Sequence, residues 1–294
     1  MEIIFLGTSG MHPTKERNLF SVLVRYKSEN ILIDCGEGTQ RQMRIIGLKT
    51  PKISRIFLTH LHGDHINGLP GLIQNLQANQ YSKGLDIYGP TGTRELMKHI
   101  LEITRFRIKI NVHEIVSGVV YKDEDFHVEA IELKHSIKVY GYSIIENDKR
   151  RINLDYLKKF NLKKHILLGD LQKGKDIVYE GKKIKAKDAT ILVKGKKLTL
   201  ITDTVYCDNC VKLSKDADLL VSECTYSDKL KDLAKKRKHL TAVDAATIAK
   251  KAKVKKLIIT HFSQRYNDIS ILLKEANKVF KNTYVAKDFM KIKI

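Results

Sequence analysis

The sequence predicts an α/β sandwich made of two similar halves, and three observations support this prediction. Short β-rich runs that end in glycine or polar turns alternate with segments whose apolar residues recur at three-and-four spacing. The second half of the chain repeats this arrangement. A basic segment, residues 148–187, interrupts it and is typical of an insertion. Mixed strands with outer helices are expected to pack as sheets covered by helices.

The first half contains four predicted strands and three predicted helices. The strands are residues 2–6, 21–26, 30–34 and 53–59. The helices are residues 38–46, 69–79 and 93–104. In the second half, strands are predicted at residues 191–193, 197–202, 219–223 and 256–260. A helix should begin near Thr241, because its hydroxyl and Asp244 three residues later can form a capping box.

Composition indicates a globular protein. Hydrophobic residues make up 43% of the 294 residues and charged residues 30%, which argues against a disordered chain. No apolar run approaches the ~18 residues of a membrane helix. The first residues lack the features of a secretory signal, so we expect a cytoplasmic protein. A reducing compartment would keep the four cysteines as thiols.

The net charge of +21 favours a polyanionic partner, although a lysine-rich proteome would also explain it. The distribution of charge helps to separate these explanations. Residues 148–187 carry thirteen Lys or Arg against five Asp or Glu. This local concentration favours a polyanionic partner over a uniform lysine bias.

A cluster of metal-ligand side chains follows the fourth predicted strand, in the run His-Leu-His-Gly-Asp-His at residues 60–65. Strand alternation would point His60 and His62 to the same side, and a turn at Gly63 would redirect Asp64 and His65. One loop can thus serve two neighbouring metal sites. Imidazole and carboxylate ligands suit zinc, and hydrolysis needs an open coordination position.

Three further donors each follow an apolar β run: His135, Asp203 and His261. Any one of them could be a solvated polar residue. Their shared placement at strand ends favours a common metal centre.

These residues resemble the ligands of the metallo-β-lactamase superfamily and, within it, the short form of the ribonuclease Z family. The superfamily pattern is His-x-His-x-Asp-His followed by single His, Asp and His ligands, and the chain supplies each one. The resemblance implies an αββα sandwich with a flexible basic arm and two zinc ions per subunit. It assigns His60, His62 and His135 to one zinc. It assigns Asp64, His65 and His261 to the other zinc, and Asp203 to the bridging position.

Other segments resemble ribonuclease Z more narrowly. Residues 13–18 (Pro-Thr-Lys-Glu-Arg-Asn) match the family's Pro-x-Lys-x-Arg-Asn loop, which implies that Lys15, Arg17 and Asn18 bind substrate phosphates. An ordinary basic turn is the alternative. Residues 34–42 and 68–72 also match. Glu223 and His239 lie in segments similar to the family's His-Glu-Ala-Thr and His-Ser-Thr; a structural glutamate and a surface histidine are the alternatives.

The resemblance implies removal of the 3′ trailer from precursor tRNA after the discriminator nucleotide, with a 3′ hydroxyl left on the tRNA and a 5′ phosphate on the trailer. Asp64 would orient the water and accept its proton, and His239 would donate a proton or stabilise charge. Residues 148–187 would be a tRNA-binding arm, and the protein a homodimer. Two alternatives remain open: a two-zinc hydrolase of a small phosphodiester or thioester, and a noncatalytic RNA-binding protein.

The pair Cys207 and Cys210 has the spacing of a redox or zinc motif. Because the chain has no second pair of this kind, we interpret it as structural.

Overall fold

Two seven-stranded β-sheets form the larger of two units into which the chain folds in the computed structural model, which describes residues 1–294. This unit comprises Met1–Lys122, Val128–Ile144 and Lys197–Ile294, and the smaller unit comprises Asp123–His127 and Ile145–Lys196. No helix in either unit is both long enough and apolar enough to cross a membrane.

The strands are, in chain order, β1 (Glu2–Gly7), β2 (Ser21–Tyr26), β3 (Glu29–Ile33), β4 (Arg55–Phe57), β5 (Leu85–Gly89), β6 (Ile110–Glu114), β7 (Gly118–Lys122), β8 (Phe126–Glu132), β9 (Tyr140–Glu146), β10 (Lys149–Ile152), β11 (Ile177–Tyr179), β12 (Lys182–Ile184), β13 (Thr190–Val193), β14 (Lys197–Ile201), β15 (Leu219–Glu223), β16 (Leu257–Thr260), β17 (Thr283–Val285) and β18 (Lys291–Lys293). The α-helices are α1 (Thr39–Ile45), α2 (Gly63–Ile66), α3 (Leu69–Ala78), α4 (Thr93–Thr104), α5 (Leu154–Leu157), α6 (Leu168–Gln172), α7 (Ala186–Ala189), α8 (Asp208–Ser214), α9 (Lys231–Arg237), α10 (Ala242–Lys251) and α11 (Ser270–Val279).

The first sheet has the order β18-β1-β2-β3-β4-β5-β6, antiparallel up to β3 and parallel from β3 to β6. The second has the order β17-β16-β15-β14-β9-β8-β7, and β14 to β17 are parallel. Each sheet therefore has a parallel part whose strands all end at the same edge.

Side-chain alternation divides the first sheet between two cores. Leu6 and Leu32 pack with Met43 of α1 and Leu72 of α3 on the helix-covered face. On the other face, Phe57 of β4 meets Tyr142 of β9 edge to face, with ring centroids 5.4 Å apart. Helices α8, α10 and α11 pack on the second sheet. The larger unit is therefore the predicted αββα sandwich.

The parallel strands bring the chemistry-bearing residues to one edge. Asp34 directly follows β3, His60 follows β4, and Asp203 follows β14. Glu223 ends β15, and His261 directly follows β16. Ligand sites in α/β proteins form at such carboxyl ends, because loops from neighbouring strands meet there.

The predicted helices at residues 38–46, 69–79 and 93–104 are confirmed as α1, α3 and α4. The capping box is also confirmed, since the Thr241 hydroxyl accepts from the Asp244 amide and the Asp244 carboxylate accepts from the Thr241 amide. The predicted strand at residues 191–193 is confirmed as β13, although it pairs with β10 in the smaller unit. One local expectation was wrong, because Gly63 begins helix α2 instead of forming a turn.

The smaller unit has its own core under two two-stranded sheets, β10-β13 and β11-β12. Its buried side chains are Leu157, Leu162, Leu171, Ile177, Ile184, Ala186 and Ala189. All the Lys and Arg side chains of residues 148–187 are exposed except Arg150, which is half-buried. This unit therefore presents a dense cationic surface on a folded support.

Candidate metal centre

The seven predicted ligands converge at the carboxyl edge of the two sheets. They form two groups in which the donor atoms lie within 4.8 Å of one another, and Asp203 belongs to both. The first group is His60, His62, His135 and Asp203. The second group is Asp64, His65, Asp203 and His261. Sequence-distant side chains thus meet as the ligand pattern predicts.

The donor spacing matches that around a tetrahedral metal ion. Ligands about 2.0–2.1 Å from zinc lie roughly 3.3 Å from one another. Nε2 of His60 lies 3.1 Å from Nδ1 of His62 and 3.6 Å from Oδ2 of Asp203. Nε2 of His261 lies 3.2 Å from Nε2 of His65 and 3.1 Å from Oδ1 of Asp203. Both groups therefore have space for one small cation.

Hydrogen bonds behind the rings fix the tautomers of His60 and His65. Nδ1 of His65 donates to Oδ2 of Asp34 over 2.7 Å. The Thr59 hydroxyl also donates to Asp34 and so accepts from Nδ1 of His60 over 3.0 Å. Both rings consequently turn an unprotonated Nε2 toward the group, as metal-binding histidines do.

The same arrangement holds for His135 and His261. Nδ1 of His135 donates to the Lys238 carbonyl over 2.9 Å. The Thr225 hydroxyl donates to Oε2 of Glu223 over 2.6 Å and accepts from Nδ1 of His261 over 3.1 Å. Lone pairs of Nε2 atoms therefore face one another, and this repulsive arrangement needs a cation.

The surroundings of Asp203 show independently that the donor groups need a cation. Its side chain is buried and its Oδ1 has no hydrogen-bond partner. An orphaned buried carboxylate oxygen costs free energy unless a cation satisfies it. Burial would raise the pKa of Asp203, but His261 and His65 outweigh it and hold the pKa well below its ordinary value. The residues present therefore fit a metal.

The loop before the ligand groups approaches them closely. The Met11 amide donates to Oδ2 of Asp64 over 2.7 Å, with Met11 in the left-handed region at φ 60°. A Cβ on Gly10 would lie 2.4 Å from the ring of His261, so this position requires glycine. Burial would raise the pKa of Asp64, but the neighbouring His65 lowers it well below its ordinary value.

His239 lies beside the ligand groups and is paired with Glu223. Its Nδ1 is 3.2 Å from each carboxylate oxygen of Glu223, which is fully buried. Glu223 also accepts from the Thr204 amide and the Thr225 hydroxyl. Burial lowers the pKa of His239, but the charges of Glu223 and Asp203 outweigh it and raise the pKa to about 9. The pairing with Glu223 therefore favours the protonated form of His239.

A cleft of about 520 Å³ opens onto the donors, and its wall is strongly basic. Cationic side chains on it are Lys236, Arg237, Lys238 and Arg265. His239 and Tyr226 also line it. The cleft can therefore admit a phosphate group of a larger anion to the metal groups.

The three predicted phosphate-binding residues lie in the loop between β1 and β2. Lys15 is exposed. Arg17 donates from Nη2 to the Tyr266 carbonyl over 3.0 Å. Asn18 donates from Nδ2 to the Glu37 carbonyl over 2.9 Å. The Arg17 and Asn18 side chains are thus hydrogen-bonded within the protein, and the Lys15 side chain is the most accessible of the three to a bound phosphate.

Sequence reasoning did not identify Asp34, Thr225 or the Met11 amide as parts of the centre. Asp34 ends a predicted strand and begins the segment 34–42 that resembles the family, and these two signals could have singled it out. Thr225 and Met11 gain their roles only through contacts with residues distant in the sequence.

Comparisons with known proteins agree with the geometry. The family model described as Anti-Pycsar protein Apyc1 matches residues 1–180. A protein named Ribonuclease Z from Picosynechococcus sp. is 41% identical over 302 residues, which cover 99% of this chain and 95% of that protein. The crystal structure of human tRNase Z, short form, has a TM-score of 0.74 at 32% identity, covering 100% of this chain and 99% of that one.

The metallo-beta-lactamase fold protein YhfI from Bacillus subtilis also has a TM-score of 0.74, at 19% identity and with 99% of this chain and 98% of that chain covered. This likeness supports the fold alone. The Ribonuclease Z relative and the human tRNase Z structure confirm the predicted family, and both of these structures confirm the predicted fold. The chain belongs to the family described as Anti-Pycsar protein Apyc1 over residues 1–180 and, over its whole length, to the ribonuclease Z family.

Proposed function

We propose that this protein is a metal-dependent endoribonuclease that removes the 3′ trailer from precursor tRNA. The cut follows the discriminator nucleotide and leaves a 3′ hydroxyl on the tRNA and a 5′ phosphate on the trailer. One observation carries the proposal: the complete donor set converges beneath a basic cleft in a chain that is 41% identical to a ribonuclease Z.

The metal is zinc, with two ions per subunit. His60, His62 and His135 would hold one ion, Asp64, His65 and His261 the other, and Asp203 would bridge them. Bound zinc would activate the attacking water and stabilise charge on the phosphoryl oxygens. Neutral imidazoles with carboxylates are ligands that zinc prefers.

Asp64 and His239 transfer the protons of the cleavage reaction. The Met11 amide holds the Asp64 carboxylate in place, and the neighbouring His65 keeps its pKa well below the ordinary value, so it can accept a hydrogen bond from the attacking water and then its proton. His239 uses Nδ1 to bind Glu223, which leaves Nε2 for the substrate. A protonated His239 can donate to the departing 3′ oxygen of the discriminator nucleotide.

RNA is bound by shape and charge. The cationic wall of the cleft and Lys15, with Arg17 and Asn18 ordering its loop, would contact phosphates near the acceptor end. Residues 148–187 would form a tRNA-binding exosite, because their exposed cations can follow the backbone of A-form RNA without reading its bases. We further propose that the protein acts in the cytoplasm as a homodimer.

The test uses precursor tRNA labelled at either end and incubated with the zinc-loaded protein. We expect a single cut after the discriminator nucleotide, and end-group analysis should find the 3′ hydroxyl and 5′ phosphate. His60→Ala should be inactive, and His99→Ala, a change at an exposed histidine on α4, serves as the matched control. Intact precursor with the wild-type protein, together with hydrolysis of a small phosphodiester or thioester, would support the small-molecule alternative instead.

A further inference from the structure

Two cysteines at the start of α8 are in direct contact and have no part in the proposed catalysis. Sγ of Cys207 lies 3.5 Å from Sγ of Cys210, and the Cys210 amide donates to the Cys207 carbonyl over 3.0 Å. The turn that joins them is therefore already closed. Cys35 and Cys224 are the other two cysteines, and both are fully buried.

The two thiols of this pair differ in reactivity. Cys207 is 8% exposed, whereas Cys210 is fully buried. A hydrogen bond from the Cys210 thiol lowers the pKa of Cys207 to about 6; burial opposes this, and the amides of Cys210 and Asn209 assist it. The same hydrogen bond and burial raise the pKa of Cys210 well above its ordinary value. A low-pKa thiol that keeps a small exposed area, beside a fully buried thiol of raised pKa, is the arrangement of an attacking and a resolving cysteine.

The pair is close in sequence to the bridging carboxylate. Asp203 precedes Cys207 by four residues, and the loop between them is held from two sides. The Thr204 amide donates to Oε1 of Glu223 over 2.7 Å, and the Val205 amide donates to the Lys134 carbonyl over 2.9 Å. Movement of Cys207 therefore acts on a loop that positions Asp203.

We propose that Cys207 and Cys210 are a redox-active dithiol, and that closure of their disulfide loosens the loop that carries Asp203. In the first step the Cys207 thiolate attacks a low-molecular-weight disulfide, forms a mixed disulfide and releases one thiolate. That thiolate takes the proton of Cys210. Sγ of Cys210 then attacks Sγ of Cys207 and expels the second thiolate, so the protein loses two electrons and the oxidant is reduced to one thiol and one thiolate.

Formation of the disulfide requires the two sulfurs to move, and the loop that carries Cys207 must move with them. A disulfide requires about 2.05 Å between sulfurs. The two sulfurs must therefore move together by more than 1 Å from their 3.5 Å separation. Because Asp203 serves both donor groups, a small displacement of its carboxylate weakens both.

The first experiment maps the thiols of the reduced full-length protein after treatment with oxidised glutathione. Alkylation and mass spectrometry should find a disulfide between Cys207 and Cys210 in the wild type. Cys210→Ser should retain glutathione on Cys207, because no resolving thiol remains, and Cys207→Ser should stay unmodified. Cys35 and Cys224 are internal controls that should remain free thiols. An unmodified wild-type pair, or a glutathione adduct that persists on it, would overturn the proposal.

The second experiment measures zinc release to a chelator after the oxidant has been removed. Oxidised wild type should release zinc about tenfold faster than reduced wild type, in the range expected for disturbed outer-shell support. A phosphine reductant should reverse the effect, and the Cys207→Ser/Cys210→Ser variant should not respond. Equal release rates before and after disulfide formation would overturn the coupling to Asp203. Zinc release rests on the proposed zinc centre, whereas thiol mapping is independent of zinc and of RNA cleavage. Failure of the dithiol proposal can therefore be distinguished from failure of the proposed function.

Discussion

Nδ1 of His239 lies 3.2 Å from both carboxylate oxygens of Glu223, so one ring nitrogen is committed to the protein and the other is free for the substrate. The glutamate is fully buried and accepts from a backbone amide and a hydroxyl as well. It therefore acts as a fixed anchor that holds the imidazole at the edge of the cleft.

Removal of the His239 imidazole should affect chemistry more than binding. We expect His239→Ala to lower the cleavage rate by roughly two to four decades, the range for loss of a general acid or charge stabiliser. Zinc content and precursor tRNA affinity should change little. Single-turnover cleavage, metal analysis and a binding titration check this, with His99→Ala as the control. Unchanged turnover would assign His239 a structural role instead of a catalytic one.

Loss of the Glu223 charge should shift the alkaline limb of the pH–rate profile. Burial lowers the pKa of His239, but the charges of Glu223 and Asp203 raise it to about 9, so its acid form is lost only as pH rises through that value. Glu223→Gln should lower this pKa and move the loss of activity to lower pH. The profile of kcat/KM measures the shift, and Glu95→Gln on the exposed face of α4 is the control. Coincident alkaline limbs in wild type and variant would contradict the pairing.

Zinc occupancy should depend on the shared carboxylate. Because Asp203 belongs to both donor groups, Asp203→Ala should reduce the zinc content from about two ions per chain and abolish cleavage. Exhaustive chelation of the wild type should have the same effect, and added zinc should restore activity. Metal analysis with parallel cleavage assays provides the measurement; full activity in the metal-free protein would refute a metal-dependent mechanism.

The basic smaller unit should contribute to RNA binding through charge. Replacement of the exposed Lys163, Lys164, Lys173 and Lys175 by glutamine should weaken precursor tRNA binding. It should also reduce the salt dependence of the affinity, by up to about 0.9 in logarithmic slope for each phosphate that the variant no longer neutralises. Hydrolysis of a small phosphodiester should persist, because it needs only the metal centre. Four exposed lysines of the larger unit, replaced in the same way, control for net charge: Lys49, Lys52, Lys98 and Lys109. Equal losses on both substrates would assign the four replaced lysines of the smaller unit to stability instead.

If the protein is a homodimer, the smaller unit of one protomer can serve the metal centre of its partner. Subunit exchange tests this by mixing the variant with four glutamines in the smaller unit and an Asp64→Ala variant. Each parent should process precursor tRNA poorly, one for weak binding and the other for lack of chemistry. Two affinity tags isolate the mixed dimer, which should recover part of the activity. Activity no higher than that of the parents would contradict action in trans.

The sequence by itself determined eight of the eighteen strands, three of the eleven α-helices, the start of a fourth helix and all seven candidate ligands. Strand and helix periodicity are local properties, and the single ligands lie shortly after strand ends, with Asp203 two residues after β14 and His261 directly after β16. The tertiary structure decided the supporting contacts. Asp34 reaches His65 and Thr225 reaches His261 only because the order of strands brings separate segments to one edge. Such pairings depend on sheet order and side-chain packing, which no local pattern encodes. The fold could therefore be predicted in outline, but the residues that hydrogen-bond to the ligands could not.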